Sequence, residues 1–182
     1  ARITAQLRNA AGGAGHARRP ELTMVTEPLE IILGCSDARV PAEIIFDQGL
    51  GDLFVIRVAG NIVAPSLVGS VEFAAEAFQT RLVVVLGHSQ CGAIAATIEQ
   101  LRRPAAKQSR NLHAIVERVR PSVEALLDTD AARDPVALAK KATRANIRAS
   151  VDHLRHGSEV LEQLTMSNGL MVVGAEYSVE TG

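Results

Sequence analysis

The sequence places two cysteines and one histidine where their side chains could meet. Cys35 directly follows the apolar run 29–34, and Cys91 lies three residues after His88, which ends a second apolar stretch. In an open parallel sheet, ligands bind beyond the carboxyl ends of the strands, where the strand order reverses. Two thiolates and one imidazole suit Zn²⁺, and three protein ligands leave a fourth position open, as in catalytic zinc sites. We therefore predict a zinc site formed by Cys35, His88 and Cys91.

An acidic and a basic residue follow the first cysteine at short spacing. Asp37 and Arg39 lie at i+2 and i+4 from Cys35, so that in an extended loop they project to the same side and can pair. The carboxylate could accept a hydrogen bond from water at an open zinc position, or it could fill that position itself. Taken alone, this pair would more often be a loop-bracing salt bridge.

Each of these residues also has an ordinary explanation. Buried free cysteines are common, and a histidine at a strand end is usually only a satisfied polar residue. Their combination favours a metal, because both cysteines of the chain lie at or just after predicted strand ends. One cysteine has a histidine at i−3, and the other is followed by Asp-x-Arg. We therefore interpret the set as a catalytic metal centre.

The elements that must position these residues alternate along the chain. Short apolar or β-branched runs predict four strands, at 29–34, 53–58, 82–86 and 170–174. Apolar residues at helical spacing predict helices, at 41–46, 66–78, 91–101, 109–128 and 134–166. This order predicts an α/β fold with a mainly parallel central sheet flanked by helices.

Details of these elements are also predicted. Ser66 and Asp134 are candidate N-caps of their helices. The run that ends at Gly87 has no polar alternation, as expected for a strand buried on both faces of a parallel sheet. Near the C-terminus, Tyr177 and Val179 indicate a more exposed extension of the last strand.

Length and composition limit the protein to a few classes. The 182 residues fit an N-terminal arm, residues 1–28, followed by a single zinc-binding α/β catalytic domain, residues 29–182. A net charge of −1 and a charged fraction of 21% argue against disorder and against broad electrostatic binding of nucleic acid. Apolar runs are much shorter than the roughly 18 residues needed to cross a bilayer, so we expect no membrane insertion of this segment. A pI near 6.6 and the absence of export features favour a cytoplasmic protein.

Three segments of the chain resemble the signatures of the β-class carbonic anhydrases, in the same order. They are Gly-Cys-Ser-Asp-Ala-Arg-Val-Pro at 34–41, Gly-Asp-Leu-Phe-Val-Ile-Arg-Val-Ala-Gly-Asn at 51–61 and Gly-His-Ser-Gln-Cys-Gly at 87–92. The likeness extends from about residue 29 to the end. It implies Zn²⁺ held by Cys35, His88 and Cys91, and reversible hydration of CO₂ to bicarbonate and a proton through zinc-bound hydroxide.

The resemblance also implies roles for further residues. The Asp37–Arg39 dyad would orient the fourth zinc ligand, and the backbone amide of Gly92 would contact the substrate. Phe54 occupies the position of an aromatic residue that walls the family's pocket, and Phe73 stands where other members have Tyr. The family's bicarbonate-regulated subtype has Trp three residues before the first zinc-binding Cys, where this chain has Ile32, so we expect no bicarbonate-driven switch.

The protein is expected to be oligomeric, and two other functions are possible for it. The resemblance implies a homodimer or a higher homo-oligomer, with the N-terminal arm wrapping the partner and the active site near the interface. One alternative is a COS or CS₂ hydrolase on the same scaffold. The other is a non-catalytic zinc-binding or thiol-redox module, in which Asp37 permanently fills the fourth position.

Overall fold

Four strands form the sheet in the computed structural model, which describes residues 27–104 and 109–182. The strands are β1 (Glu30–Gly34), β2 (Leu53–Arg57), β3 (Leu82–His88) and β4 (Met171–Tyr177). Their order is β2-β1-β3-β4, and each neighbouring pair is parallel. The predicted α/β fold with a parallel sheet is confirmed. The predicted arm lies outside the described residues except for positions 27 and 28.

Six helices in the described part of the chain connect and cover the strands. They are α1 (Ala42–Ile45), α2 (Pro65–Ala77), α3 (Gly92–Arg102), α4 (Arg110–Leu127), α5 (Pro135–His156) and α6 (Glu159–Ser167). Short 3₁₀ turns lie at Ala59–Asn61 and Asp130–Arg133. None of these helices combines the length and the apolarity that crossing a membrane requires.

Two local predictions about the helices are wrong. The segment 134–166 forms two helices, because the Ser158 side chain accepts a hydrogen bond from the Leu161 amide and caps a new helix after Gly157. Ser66 is not an N-cap, since α2 already begins at Pro65, a residue whose fixed φ suits the first helical position. The cap predicted at Asp134 is confirmed by a 2.9 Å bond from the Val136 amide.

The predicted C-terminal extension is confirmed as far as Tyr177. Strand β4 pairs with β3 over its whole length, up to the register pair His88 and Tyr177. Exposed residues recur along it, which agrees with its position at the edge of the described sheet. Val179 lies beyond the strand, in the turn that follows.

The central strands β1 and β3 are buried on both faces. Ile31 and Leu33 pack on one side with Val83, Val85 and residues of α2, α5 and α6. Ile32 packs on the other side with Val84 and Leu86. Because β1 and β3 have no solvent-facing side, the edge formed by their carboxyl ends is held rigidly by the core.

Gly87 allows α5 to pack closely against the sheet just before the strand end. A Cβ atom at this position would lie 2.5 Å from Cδ1 and 2.6 Å from Cγ1 of Ile147, a buried residue of α5. Such distances are far inside van der Waals contact. Any larger residue here would force the Ile147 side chain to move, so the close approach of the helix to β3 favours glycine.

We predict that Gly87→Ala lowers the free energy of unfolding by about 1–3 kcal/mol, the usual cost of overpacking a core. Urea denaturation measures the effect. Gly69→Ala is the matched control, because an added Cβ there meets no atom within 4 Å in helix α2; it should stabilise the protein by up to about 1 kcal/mol. Combining Gly87→Ala with Ile147→Ala should cost less than the sum of the single changes, and strict additivity would contradict the proposed clash.

Candidate metal centre

The predicted ligands meet at the switch point of the sheet. After β1 the chain forms β2 on one side of it, and it later returns to form β3 on the other side. Gly34 of β1 is in register with Leu86 of β3, so Cys35 and His88 emerge from adjacent strand ends. Cys91 is the N-cap residue of α3, which begins directly after the loop from β3.

The distances between the three side chains suit a tetrahedral metal ion. Their ligand atoms all lie within 4.8 Å of one another, and the Sγ atoms of Cys35 and Cys91 are 4.0 Å apart. Zn–S bonds of about 2.3 Å in a tetrahedral site place two sulfurs about 3.8 Å apart. All three residues are buried, with 5%, 0% and 4% exposure for Cys35, His88 and Cys91.

The histidine presents a buried nitrogen that has no hydrogen-bond partner among the residues that the structure describes. Nδ1 of His88 lies 2.8 Å from the carbonyl oxygen of Ser89, and it must donate because a carbonyl can only accept. The opposite nitrogen, Nε2, is fully buried and without a hydrogen bond. Orienting a metal-binding imidazole through its other N–H is the usual arrangement in metalloproteins. The observed groups therefore fit a resident zinc ion.

The two thiols are electrostatically linked. The hydrogen bond with Cys91 lowers the pKa of Cys35, assisted by the amide of Gly60, which donates to the Cys35 sulfur at 3.3 Å. The same bond to Cys35, together with burial, raises the pKa of Cys91. Deprotonation of both buried thiols is therefore unfavourable unless a nearby cation neutralises the two negative charges. A divalent metal ion would do so.

Gly60 is a site residue that the sequence analysis did not single out. It adopts φ 75° in the 3₁₀ turn after β2, and a Cβ atom there would lie 2.9 Å from that of Ala93. The left-handed backbone and the close approach both require glycine. The Gly60-Asn61 pair after a predicted strand was the signal for this turn. The contact of Gly60 with Cys35 joins residues 25 positions apart, and local sequence does not reveal it.

The Asp37–Arg39 pair forms as the spacing predicts. Oδ1 of Asp37 accepts hydrogen bonds from the backbone amide and Nε of Arg39 at 3.0 and 2.9 Å, and Oδ2 accepts from Nη2 at 2.8 Å. These bonds, with the side chain contributing most, hold the pKa of Asp37 well below its usual range. The carboxylate is therefore ionised and fixed in orientation at neutral pH.

Arg57 braces the loop that carries Cys35. Its Nε donates to the carbonyl oxygen of Cys35 at 2.8 Å, and its Nη2 donates to that of Asp37 at 2.5 Å. Arg57 is the last residue of β2, in register with Gly34 at the end of β1. The position of Arg57 at the end of a predicted strand was visible in the sequence, but the pairing that brings it to the loop was not.

The predicted substrate-contacting residues lie in two places. Gly92 is the first residue of α3, where backbone amides lack partners within the helix, and an added Cβ would meet no atom within 4 Å. Phe54, Phe73 and Phe78 form a ring cluster with centroids 5.6–6.3 Å apart. Phe54 lies three residues before the end of β2, about 10 Å from that edge. The role of both groups toward substrate stays a prediction.

Comparison with known proteins identifies the family. The sequence profile described as carbonic anhydrase matches residues 30–182. The chain belongs to the carbonic anhydrase family. A carbonic anhydrase of Mycolicibacterium smegmatis is 37% identical over 168 residues, covering 92% of this chain and 79% of that protein. Carbonic anhydrase 2 of Mycobacterium tuberculosis is 35% identical over 164 residues, covering 90% of this chain and 76% of that protein.

Solved structures agree on the fold. A tetrameric β-carbonic anhydrase from Sordaria macrospora superposes with a TM-score of 0.81 at 21% identity, covering 98% of this chain and 92% of that one. The Coccomyxa β-carbonic anhydrase gives a TM-score of 0.80 at 21% identity, covering 98% and 80%. The predicted β-class carbonic anhydrase is confirmed. The protein is thus a zinc-dependent lyase family member with a Cys-His-Cys group able to hold the metal.

We predict that Cys35→Ser or Cys91→Ser strips the zinc, because each removes one of three ligands and replaces a soft thiolate with a poor donor. Metal analysis of the purified parent should give one zinc per chain. The loops should also loosen in the variants, since metal binding and local folding are coupled. Full zinc occupancy in the double variant would contradict the ligand assignment.

Proposed function

We propose that this chain hydrates CO₂ reversibly to bicarbonate and a proton, with zinc held by Cys35, His88 and Cys91. The Asp37–Arg39 dyad serves beside this group as the orienting pair. The observation that carries the proposal is the position of the Asp37 carboxylate. Asp37 lies two residues after Cys35, and both of its carboxylate oxygens accept hydrogen bonds from Arg39.

Each component has a distinct chemical task. A zinc ion held by Cys35, His88 and Cys91 would supply the acidification of a water molecule, whose pKa falls from 15.7 to about 7 in such sites. Asp37, kept ionised by Arg39, already accepts three hydrogen bonds and keeps about one acceptor site, with which it would orient the attacking water. Carbon dioxide is uncharged and needs only an apolar slot. The Gly92 amide, at the positive end of α3, would stabilise the negative charge that develops on the substrate.

The dyad geometry supports an enzyme rather than a closed zinc module. Three donors of Arg39 bind Asp37, so moving the carboxylate onto the metal would break a charge-assisted fork. A third anionic ligand would also leave the zinc centre with a net negative charge. Ile32, fully buried in β1, offers no hydrogen-bond donor for a regulatory bicarbonate. The named relatives are carbonic anhydrases, which favours CO₂ over COS or CS₂ as the substrate.

A homo-oligomer is part of the proposal. Phe73 is 56% exposed although it belongs to the three-ring cluster with Phe54 and Phe78. A large aromatic side chain at the exposed end of an apolar cluster is typical of a subunit contact. The Sordaria macrospora relative in fold is tetrameric. We infer that a second copy of this chain covers Phe73.

We predict that Asp37→Ala and Arg39→Ala each retain zinc but lose about 10²-fold or more of CO₂ hydration, the scale of an oriented proton acceptor. The double variant should lose little more than either single one, because the pair acts as a unit. Stopped-flow hydration and zinc analysis check this. Asp130→Ala and Arg133→Ala are matched controls, since that i,i+3 pair is exposed by 92% and 86%. Parental activity in all three dyad variants would reduce the pair to a loop brace.

We predict that Phe73→Asp lowers the oligomeric mass, because a buried carboxylate at an apolar contact is unfavourable. Sedimentation velocity checks the mass, and circular dichroism checks that each chain stays folded. Leu112→Asp on α4 is the control, since Leu112 is 57% exposed. An unchanged mass in Phe73→Asp would place the subunit contact elsewhere.

A further inference from the structure

The tail after β4 is hydrogen-bonded to the loop between two zinc ligands. The amide of Ser89 donates to the carbonyl of Tyr177 at 2.9 Å, and the amide of Val179 donates to Ser89 Oγ at 3.0 Å. The Glu180 carboxylate accepts from Ser89 Oγ at 2.5 Å and from Gln90 Nε2 at 2.7 Å. The bonds from Ser89 and Gln90 lower the pKa of Glu180 to about 2, so its carboxylate is charged at neutral pH.

The other end of Gln90 faces the dyad. Nη1 of Arg39 donates to Gln90 Oε1 at 3.4 Å, and Nη2 donates to the Gln90 carbonyl at 3.1 Å. The amide therefore lies between an anion and a cation. Its NH₂ must point to Glu180 and its oxygen to Arg39, because the reverse orientation would set like partial charges against both neighbours.

The backbone at Gln90 is also held in an uncommon conformation. Its φ of 55° is left-handed, which a side chain with a Cβ rarely adopts. Ser89 on one side is hydrogen-bonded to the tail, and Cys91 on the other side is the N-cap of α3. The loop is thus kept in a shape that directs both the side-chain and main-chain acceptors of Gln90 at Arg39.

We propose that Glu180 is a positioning residue that acts through Gln90 to keep the Arg39 guanidinium on Asp37. The proposal rests on the catalytic role of the dyad. Nε and Nη2 of Arg39 bind Asp37, while Nη1 and Nη2 bind Gln90, so these contacts fix the plane of the guanidinium. The intervening amide matters, because a carboxylate at position 90 would compete with Asp37 for the same cation.

A charge swap separates this role from simple fastening of the tail. Gln90→Glu combined with Glu180→Gln preserves a hydrogen bond between the two side chains, since the new amide can donate to the new carboxylate. The double substitution also moves the carboxylate charge from position 180 to position 90, next to Arg39. We expect the swapped protein to keep its melting temperature, its zinc and its KM, but to lose about tenfold in kcat, the scale of one hydrogen bond to a charged group.

A second readout follows Arg39 directly. The ¹⁵N–¹H signal of Arg39 Nε, identified by its loss in Arg39→Lys, should move in the swap variant with or without zinc. Glu124→Gln is the control, because Glu124 is an exposed carboxylate on α4. It should change neither kcat nor the Arg39 signal.

The proposal would be overturned if the swap variant had the parental kcat and an unmoved Arg39 signal. The tail would then only stabilise the loop between His88 and Cys91. If the swap does not fold, Glu180→Gln alone decides between the same two outcomes, because it removes only the charge that orients Gln90. The Arg39→Ala variant distinguishes the catalytic role of the dyad from the positioning role of Glu180. Full activity in Arg39→Ala would defeat the dyad itself, whereas an inactive Arg39→Ala with a fully active swap would defeat only the role of Glu180.

Discussion

The parallel pairing of β1 with β3 is the constraint on which the site depends. Both strands are buried on both faces, so their register cannot slip without moving apolar side chains out of the core. Because the chain crosses from one side of β1 to the other, the loops after these strands diverge and leave a crevice between them. Cys35, His88 and Cys91, the group able to hold the metal, occupy that crevice, and Gly87 lets α5 pack closely against the adjoining core.

Charge neutrality explains how the polar groups are divided around this edge. Two buried thiols have a divalent ion as their natural counter-charge. The nearby Asp37 has its own cation, Arg39, and is therefore not required as a metal ligand. Glu180 in turn is satisfied by Ser89 and Gln90 and does not compete for Arg39. Asp37 and Glu180, the carboxylates beside the Cys-His-Cys group, thus have separate partners, which is consistent with the separate roles proposed for them.

The backbone around the site is held by contacts that are distant in sequence. Arg57 ties the Cys35 loop to the end of β2, Gly60 donates to the Cys35 sulfur, and Ser89 is anchored to the tail after β4. Pre-organised ligands lose little freedom when they bind a metal, and an oriented carboxylate needs no rearrangement during reaction. The same network that fixes the ligands therefore also fixes the dyad.

Local spacing in the sequence was enough to predict the Asp37–Arg39 fork, because Asp-x-Arg lies within one loop. The meeting of Cys35, His88 and Cys91 was predicted from the rule that ligands bind beyond the carboxyl ends of parallel strands. Apolar runs likewise predicted the four strands, most clearly β1 and β3, since strands buried on both faces carry no polar alternation. Local signals were less reliable at helix boundaries, where Ser158 caps a separate helix. Only the tertiary structure decided which distant residues complete the site. Arg57, Gly60 and Glu180 reach it over 20 to 91 residues, through strand pairing and turn geometry that sequence spacing does not encode.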